Sequence, residues 1–403
     1  MTVTDASTTA TSSEEAKLLA LCQQLLDEQP PHESAPELFL GRQFDLGLAW
    51  VHFEEGRGGI GASPRLQKLV DETLAGAGAP IAAFRNVIGH GMGAPTIATH
   101  GTDAQKDRYL RPLFTGEEIW CQLFSEPGAG SDVAGLACRA VRDGEEWIIN
   151  GQKVWTTLAH LAKRGLLVAR TDPDQPKHKG LTYFVVDMEA PGVEVRPLFQ
   201  ITGEAEFNEV YFSDVRIPDE ERLGDVGEGW RVILTTLMNE RVAIGGGIPA
   251  RGAGFIGEAV KVWKEREVGA PVDRDELMRL WTRAEVLRLT NIRASQLRAI
   301  GTPGPEGSIG KVISADLNKD ISAFTVGLLG PEGMLFPGGY TMARPTHAMQ
   351  WASPQQAFLR ARANSIEGGT TEIAKNILGE RVLGLPGDVR ADKEVPWTQV
   401  PRS

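Results

Sequence analysis

The sequence predicts an α+β protein in three consecutive parts: an N-terminal helical domain, a middle antiparallel β-barrel or sandwich domain, and a C-terminal four-helix bundle. Three observations carry this. Helical periodicities alternate with glycine-rich turns such as EEGRGGIGAS as far as about Gly116. β-rich segments at short spacing then fill roughly Ile119 to Leu223, and the helical period returns from Gly227. The expected boundaries are a disordered tail over 1–11, helices over 12–118, the β domain over 119–225, and the bundle with a C-terminal tail over 226–403.

The opening MTVTDASTTATSSEEAK is polar and lacks the basic and apolar regions of a signal peptide. It reads as a frayed tail before SSEEAKLLALCQQLL, where a serine cap and an acidic first turn start a helix. SPRLQKLVDETLAGAG places a proline at the first helical position, and TDAQKDRYLRPLFTGE is amphipathic. In the middle zone CRAVRDGEEWIINGQKVWTT sets Asp143-Gly144 between two alternating runs, a hairpin signal, with Asn150-Gly151 expected as a second turn. RGLLVARTD, GLTYFVVDM, GVEVRPLF and NEVYFSDVRIP supply the remaining strands. GWRVILTTLMNERVAIGGG, RDELMRLWTRAEVLRLTNIRASQLRAI and SIGKVISADLNKDISAFTVGLLG are the clearest bundle helices.

A net charge of −11 excludes a phosphate-tracking nucleic-acid surface, yet leaves room for a polyanionic cofactor held by helix N-termini and a few arginines. No apolar run spans a bilayer, and a cytoplasmic location is expected. Cys22, Cys121 and Cys138 follow no metal-ligand spacing and read as small buried apolar residues. No metal is expected.

Chemistry concentrates at two places. CQLFSEPGAGSDVAGL, with Gly128, Gly130, Ser125 and Ser131, is a turn-rich loop dense in amides and hydroxyls, suited to a phosphate or a flat heteroaromatic ring. WIINGQKVWTT ends in Trp155 and Thr157, an aromatic face and a hydroxyl. Near the C-terminus NSIEGGTTEIAKNILGERVLGLP is too polar for core and too glycine-rich for helix, yet leads straight into one.

SEPGAGSDVAGL, INGQKVWTT, EVYFSDVRIP and GGTTEI, in this order from about Ser12 to Leu385, resemble the flavin-dependent acyl-CoA dehydrogenase family. The resemblance implies the same α–β–α fold. It also implies FAD as cofactor and an acyl-CoA substrate whose pro-R α-proton goes to a carboxylate and whose β-hydride goes to flavin N5, giving a trans-2-enoyl-CoA. It further implies an oxidoreductase of lipid metabolism and fatty acid β-oxidation. Such an enzyme is a homotetramer built as a dimer of dimers, reoxidised by an electron-transferring flavoprotein that approaches near Trp155.

In many members the base is the Glu of Glu-Gly-Thr-Ser-Gln. Here that position falls on Gly368, which keeps only its backbone amide for the thioester oxygen, and Glu367 lies one residue early as the alternative base. Members resembling isovaleryl-CoA and long-chain dehydrogenases carry the base on the first bundle helix as Glu-Arg. Glu240-Arg241 match that pair, which leans toward branched, long or bulky acyl groups. By the same resemblance Phe124, Ser125, Ser131, Trp155 and Thr157 line the flavin or the acyl-CoA entrance. Thr370 and Glu372 contact its adenosine half, and Arg241 stands behind the thioester pocket. Two departures touch the flavin. The Arg-x-x-Phe that reaches the pyrophosphate of a neighbouring subunit is replaced at best by Arg266. The Gln-x-x-Gly-Gly loop reads GLLGPEGML, with Gly327 for Gln and Gly330 retained. They keep open a heteromeric assembly, similar to some actinobacterial lipid- and steroid-degrading members, in which this chain is a non-catalytic subunit. An oxidase or monooxygenase relative is a third reading.

Overall fold

Hydrophobic period and caps set the helices of the first part. The structure, a computed structural model, describes residues 6–245, 248–266, 271–300, 306–337, 339, 341–347, 351–387, 389 and 392–400. Among these, α1 (Ala6–Glu28), α2 (Pro36–Asp45), α3 (Gln67–Gly76), α4 (Ala82–Arg85), α5 (Ala94–His100) and α6 (Asp103–Thr115) come first. Helix α1 begins at Ala6, so residues 6–11, read from sequence as tail, belong to it. No glycine or proline interrupts that segment, and a helix anchored by buried Leu18, Cys22 and Leu25 propagates back through it. Helix α6 opens with a capping box: Gln105 N donates to Thr102 Oγ1 (3.2 Å) and Thr102 N to Gln105 Oε1 (2.8 Å).

The middle part is one sheet of β1 (Trp120–Leu123), β2 (Arg139–Asp143), β3 (Glu146–Thr157), β4 (Arg164–Arg170), β5 (Leu181–Asp187), β6 (Val193–Pro197), β7 (Phe207–Pro218) and β8 (Arg222–Leu223). The order is β6-β7-β3-β2-β4-β5-β8, with β1 beside β4. Most pairs are antiparallel, as the sequence predicts, but β4 runs parallel to both β1 and β2. The β2–β3 hairpin lies between β1 and β4 in the chain and returns it to the same end of the sheet. The Asp143-Gly144 hairpin forms, with Asp143 opposite Glu146 and Gly144 at φ 64°. Asn150-Gly151 is not a turn: β3 runs straight through it with a bulge against β7. Asn150 exchanges hydrogen bonds with Asp214, Nδ2 to Oδ1 at 2.9 Å and Oδ1 from the backbone N at 3.1 Å. A Cβ on Gly151 would sit 2.8 Å from Cys138, so the strand passes there only as glycine.

The last part holds α7 (Gly229–Gly245), α8 (Phe255–Glu265), α9 (Pro271–Ile300), α10 (Glu306–Leu328), α11 (Pro354–Arg360) and α12 (Thr371–Arg381), with α10 against each of the others. Side-chain alternation along β1 divides the cores. Trp120 joins α1–α6, Tyr183 and the α7 residues Val232 and Ile233 on one face, while Cys121 and Leu123 join Phe184 and Phe212 on the other. A third cluster of Ile256, Leu277, Leu280, Leu317 and Ile321 holds the bundle. All three cysteines are buried and free, and burial pushes the Cys22 and Cys138 thiols up to about 11. Among the described residues no helix is long and apolar enough to cross a membrane, and no group of His, Cys, Asp or Glu could hold a metal ion.

Candidate active site

A cavity of about 400 Å³ opens among α8, α9, α10 and α12. Its walls include Trp281, Leu317 and Ile321, and at one end Glu240, Lys311 and Gly368 meet. Glu240 is placed by the turn of α7 that precedes it. Thr236 is buried there, hydrogen-bonded to Thr96 of α5 (2.9 Å) and to the hydroxyl of Tyr183 on β5 (3.1 Å). Four residues on, Glu240 lies on the same face of α7, and Gln122 Nε2 of β1 donates to its Oε2 (3.2 Å). Burial, with the Glu240 carboxylate adding to it, pushes the Tyr183 phenol up, so Tyr183 stays protonated.

The opposite lip is the turn from Asn364 to Thr370. Gly368 and Gly369 both adopt the left-handed region (φ 61° and 86°), a conformation glycine takes without steric cost. A Cβ at Gly368 would lie 3.7 Å from Glu240 Oε1 and 4.0 Å from Lys311 Nζ. A carboxylate grown from position 368 and the carboxylate of Glu240 therefore compete for one space. Glu367 is already engaged: Arg360 donates to both its oxygens (3.0 and 2.7 Å), and Asn364 Nδ2 donates to Oε1 (2.7 Å). Lys311 Nζ donates to the carbonyls of Asn364 (2.7 Å) and Glu367, pinning the turn to α10. Burial lowers the Lys311 ammonium, against the pull of Glu367 and Glu240.

The second candidate region is on the sheet. Lys153, fully buried, donates to Phe124 O (3.0 Å) and Glu126 Oε1 (2.8 Å), and Glu126 accepts from the backbone N of Ala137 and Cys138 (2.7 and 2.9 Å). This network holds the loop of Ser125 and Ser131 against β3. Val154 N donates to Ser125 O (2.9 Å), which sets Ser125 beside Trp155. Trp155 is 56% exposed at φ 59°, edge-on to Phe207, and Thr157 is half-buried two residues on. A bulky residue held in the left-handed region with its ring in the open is a strained arrangement, of the kind kept where a ligand uses it. Phe124 is buried against Tyr183, and Ser131 is exposed. An exposed aromatic plane beside the Ser125 backbone, next to two glycines (Gly128 and Gly130) with open space around them, fits the ring end of a flavin.

The remaining predicted residues lie elsewhere. Arg266 at the end of α8 pairs with Glu332 just beyond α10, next to Gly330 (φ 59°), while Gly327 contributes only backbone on α10. The Thr370 hydroxyl accepts from Ile373 N (3.2 Å) as the cap of α12, and Glu372 is exposed in its first turn. Arg241 belongs to α7, but its side chain lies outside the described residues. Sequence reasoning missed Gln122, Lys311 and Arg360. One signal existed for Gln122: a polar residue between Trp120 and Phe124 on an otherwise buried strand face.

Residues 22–117, 121–215 and 227–383 match in turn the N-terminal, middle and C-terminal domains of acyl-CoA dehydrogenases. The chain is 41% identical over 343 residues to acyl-CoA dehydrogenase FadE34 of Mycobacterium tuberculosis, covering 85% of this chain and 45% of that protein. It thus spans about half the length of that relative. With acyl-CoA dehydrogenase IpdE1 of the same organism it shares 36% identity over 355 residues, 85% of this chain and 86% of the relative. Among solved structures, the Tcur3481-Tcur3483 steroid ACAD aligns with a TM-score of 0.69 at 26% identity, over 94% of this chain and 98% of its own. A chain of the ChsE4-ChsE5 complex from Mycobacterium tuberculosis aligns with a TM-score of 0.68 at 25% identity, over 96% and 100%.

Proposed function

This chain belongs to the acyl-CoA dehydrogenase family, and we propose that it removes the C2 proton of an acyl-CoA thioester with Glu240 as base, leading to a trans-2-enoyl-CoA. One observation carries the assignment: Glu240 Oε1 lies 3.7 Å from the point where a side chain at Gly368 would begin. The carboxylate of α7 thus reaches the space that a carboxylate on the turn would serve. Glu367 is set aside, because Arg360 and Asn364 already hold both its oxygens.

An α-proton of a thioester is far too weakly acidic for a free carboxylate, so the developing charge on the thioester oxygen needs donors in a dry site. The Gly368 amide is one such donor. Bound FAD supplies the hydride acceptor. Phe124, Ser125, Ser131, Trp155 and Thr157 would hold its ring end and the thioester entrance, and Thr370 and Glu372 would hold its adenosine half. Arg241 backs the thioester pocket, while Arg266 and Gly330 are the residues left to reach a neighbouring subunit's flavin, Gly327 having no side chain to offer it. An electron-transferring flavoprotein reoxidises the enzyme in the cytoplasm. Trp281 and Trp351 line the cavity, and together with the relative called a steroid ACAD they make a bulky, steroid-type acyl thioester the first substrate to test, ahead of straight or branched chains.

Glu240→Gln tests the base. Turnover is expected to fall by about 10²–10⁴, the range for loss of a positioned base, with FAD retained. Near-normal turnover would overturn the assignment. A second reading, a non-catalytic subunit completing a partner's flavin site, draws on Gly327, on the Arg266–Glu332 pair, and on relatives named as two-protein assemblies. Dehydrogenation of any acyl-CoA by the lone purified chain ends that reading.

A further inference from the structure

We infer that Gln122 and Lys311 are positioning residues for Glu240, holding its carboxylate ionised and aimed across the cavity at the Gly368 turn. The inference rests on the reading of Glu240 as base. Gln122 shares a face of β1 with Trp120 and continues toward Phe124, both buried. A side-chain amide between two buried aromatics is costly unless it finds a partner, and its partner is Glu240 Oε2 at 3.2 Å. That bond uses the N–H, which favours the ionised carboxylate over the acid.

Lys311 comes from the opposite side. Its Nζ and Glu240 Oε1 flank one point above Gly368, at 4.0 and 3.7 Å. Among the described residues, the charged and titratable groups around Glu240 include Lys311 of α10, Tyr183 of β5, Arg360 at the end of α11 and Glu367 at the turn. On the α9 wall Arg288 and Glu285 pair with each other at 2.7 Å, and Arg360 is matched bidentately by Glu367. Lys311 differs from these arginines in hydrogen-bonding two carbonyls, and its charge is shared between Glu367 and Glu240. An acyl chain filling the cavity drives water from around Glu240 and by itself favours the acid form, which cannot take a proton. An amide donor on one side and an ammonium on the other oppose that drift. By tying Asn364 O and Glu367 O, Lys311 also fixes the peptide that leads into Gly368.

The test uses holoenzyme labelled with carbon-13 at the glutamate side-chain carboxyl, with Glu240→Gln identifying the Glu240 resonance. Gln122→Leu and Lys311→Met are each expected to move its titration midpoint up by about one pH unit, and Lys311→Arg to restore it. The acid limb of kcat/KM should shift equally. Gln122→Met replaces Gln122→Leu if the latter folds poorly. A midpoint unmoved in both variants, or a lowered plateau with no shift, overturns the inference. The base reading fails separately, if Glu240→Gln keeps its turnover while the resonance still moves in the other variants.

Discussion

Lys153 and Lys311 each fasten a loop by its carbonyl oxygens, yet their electrostatic settings are opposite. Lys153 is sealed in the sheet with a carboxylate of its own, Glu126 at 2.8 Å, and Glu126 spends its remaining capacity on two backbone amides. The network is closed, and its effect is mechanical: it welds Phe124–Cys138 to β3. Lys311 sits on a cavity wall, gives its hydrogen bonds to neutral carbonyls, and leaves its charge to act on Glu240 and Glu367. A buried cation with its own counter-ion builds structure; one held only by carbonyls also sets the charge of the space beside it.

The largest effect should come from breaking the closed network. Lys153→Met leaves Glu126 buried and unpaired and should cost about 3–5 kcal/mol in urea denaturation, with FAD content falling as the loop loosens. A change under about 1 kcal/mol would mean that Lys153 and Lys311 sit in equivalent settings after all. Next is Glu367→Gln, which takes the facing charge from Arg360, 6% exposed, and leaves Glu206 at 3.9 Å as its ion pair among the described residues. About 2–3 kcal/mol of stability should be lost, while flavin reduction by acyl-CoA survives if Glu240 is the base. The smallest effect sharpens the contrast through pH. Lys311→Met should cost about 1–2 kcal/mol near neutrality. Because burial depresses the Lys311 ammonium in the folded state, wild type carries a desolvation penalty below that depressed value and sheds it as pH rises toward 10.5. The stability gap between wild type and Lys311→Met should therefore widen with rising pH over that window. A gap that narrows would contradict the burial of Lys311.

Local signals served well wherever the cause was local. Thr102 and Gln105 cap α6 as neighbours, Asp143-Gly144 closes its hairpin, and Thr370 caps α12 at the end of the glycine turn. Asn150-Gly151 shows the limit of such signals. The dipeptide suits a turn and a bulge alike, and what selects the bulge is Cys138, which the fold presses to within 2.8 Å of where a Gly151 Cβ would be. The start of α1 illustrates the same point from the other side, since polar composition by itself does not end a helix that is anchored further along.

From sequence alone followed the order of helical, β and helical parts, the turn-rich loop of Ser125 and Ser131, and the aromatic Trp155 at the end of its hairpin strand. These rest on residue types and short spacings, which the chain carries before it folds. Only the tertiary structure put Gln122 on Glu240 across 118 residues, and only it closed Arg360 over Glu367 and slid Lys311 beneath Asn364. A hydrogen bond between a strand and a helix depends on how sheet and bundle pack, and no periodicity within either element records which polar group of one will face which carboxylate of the other.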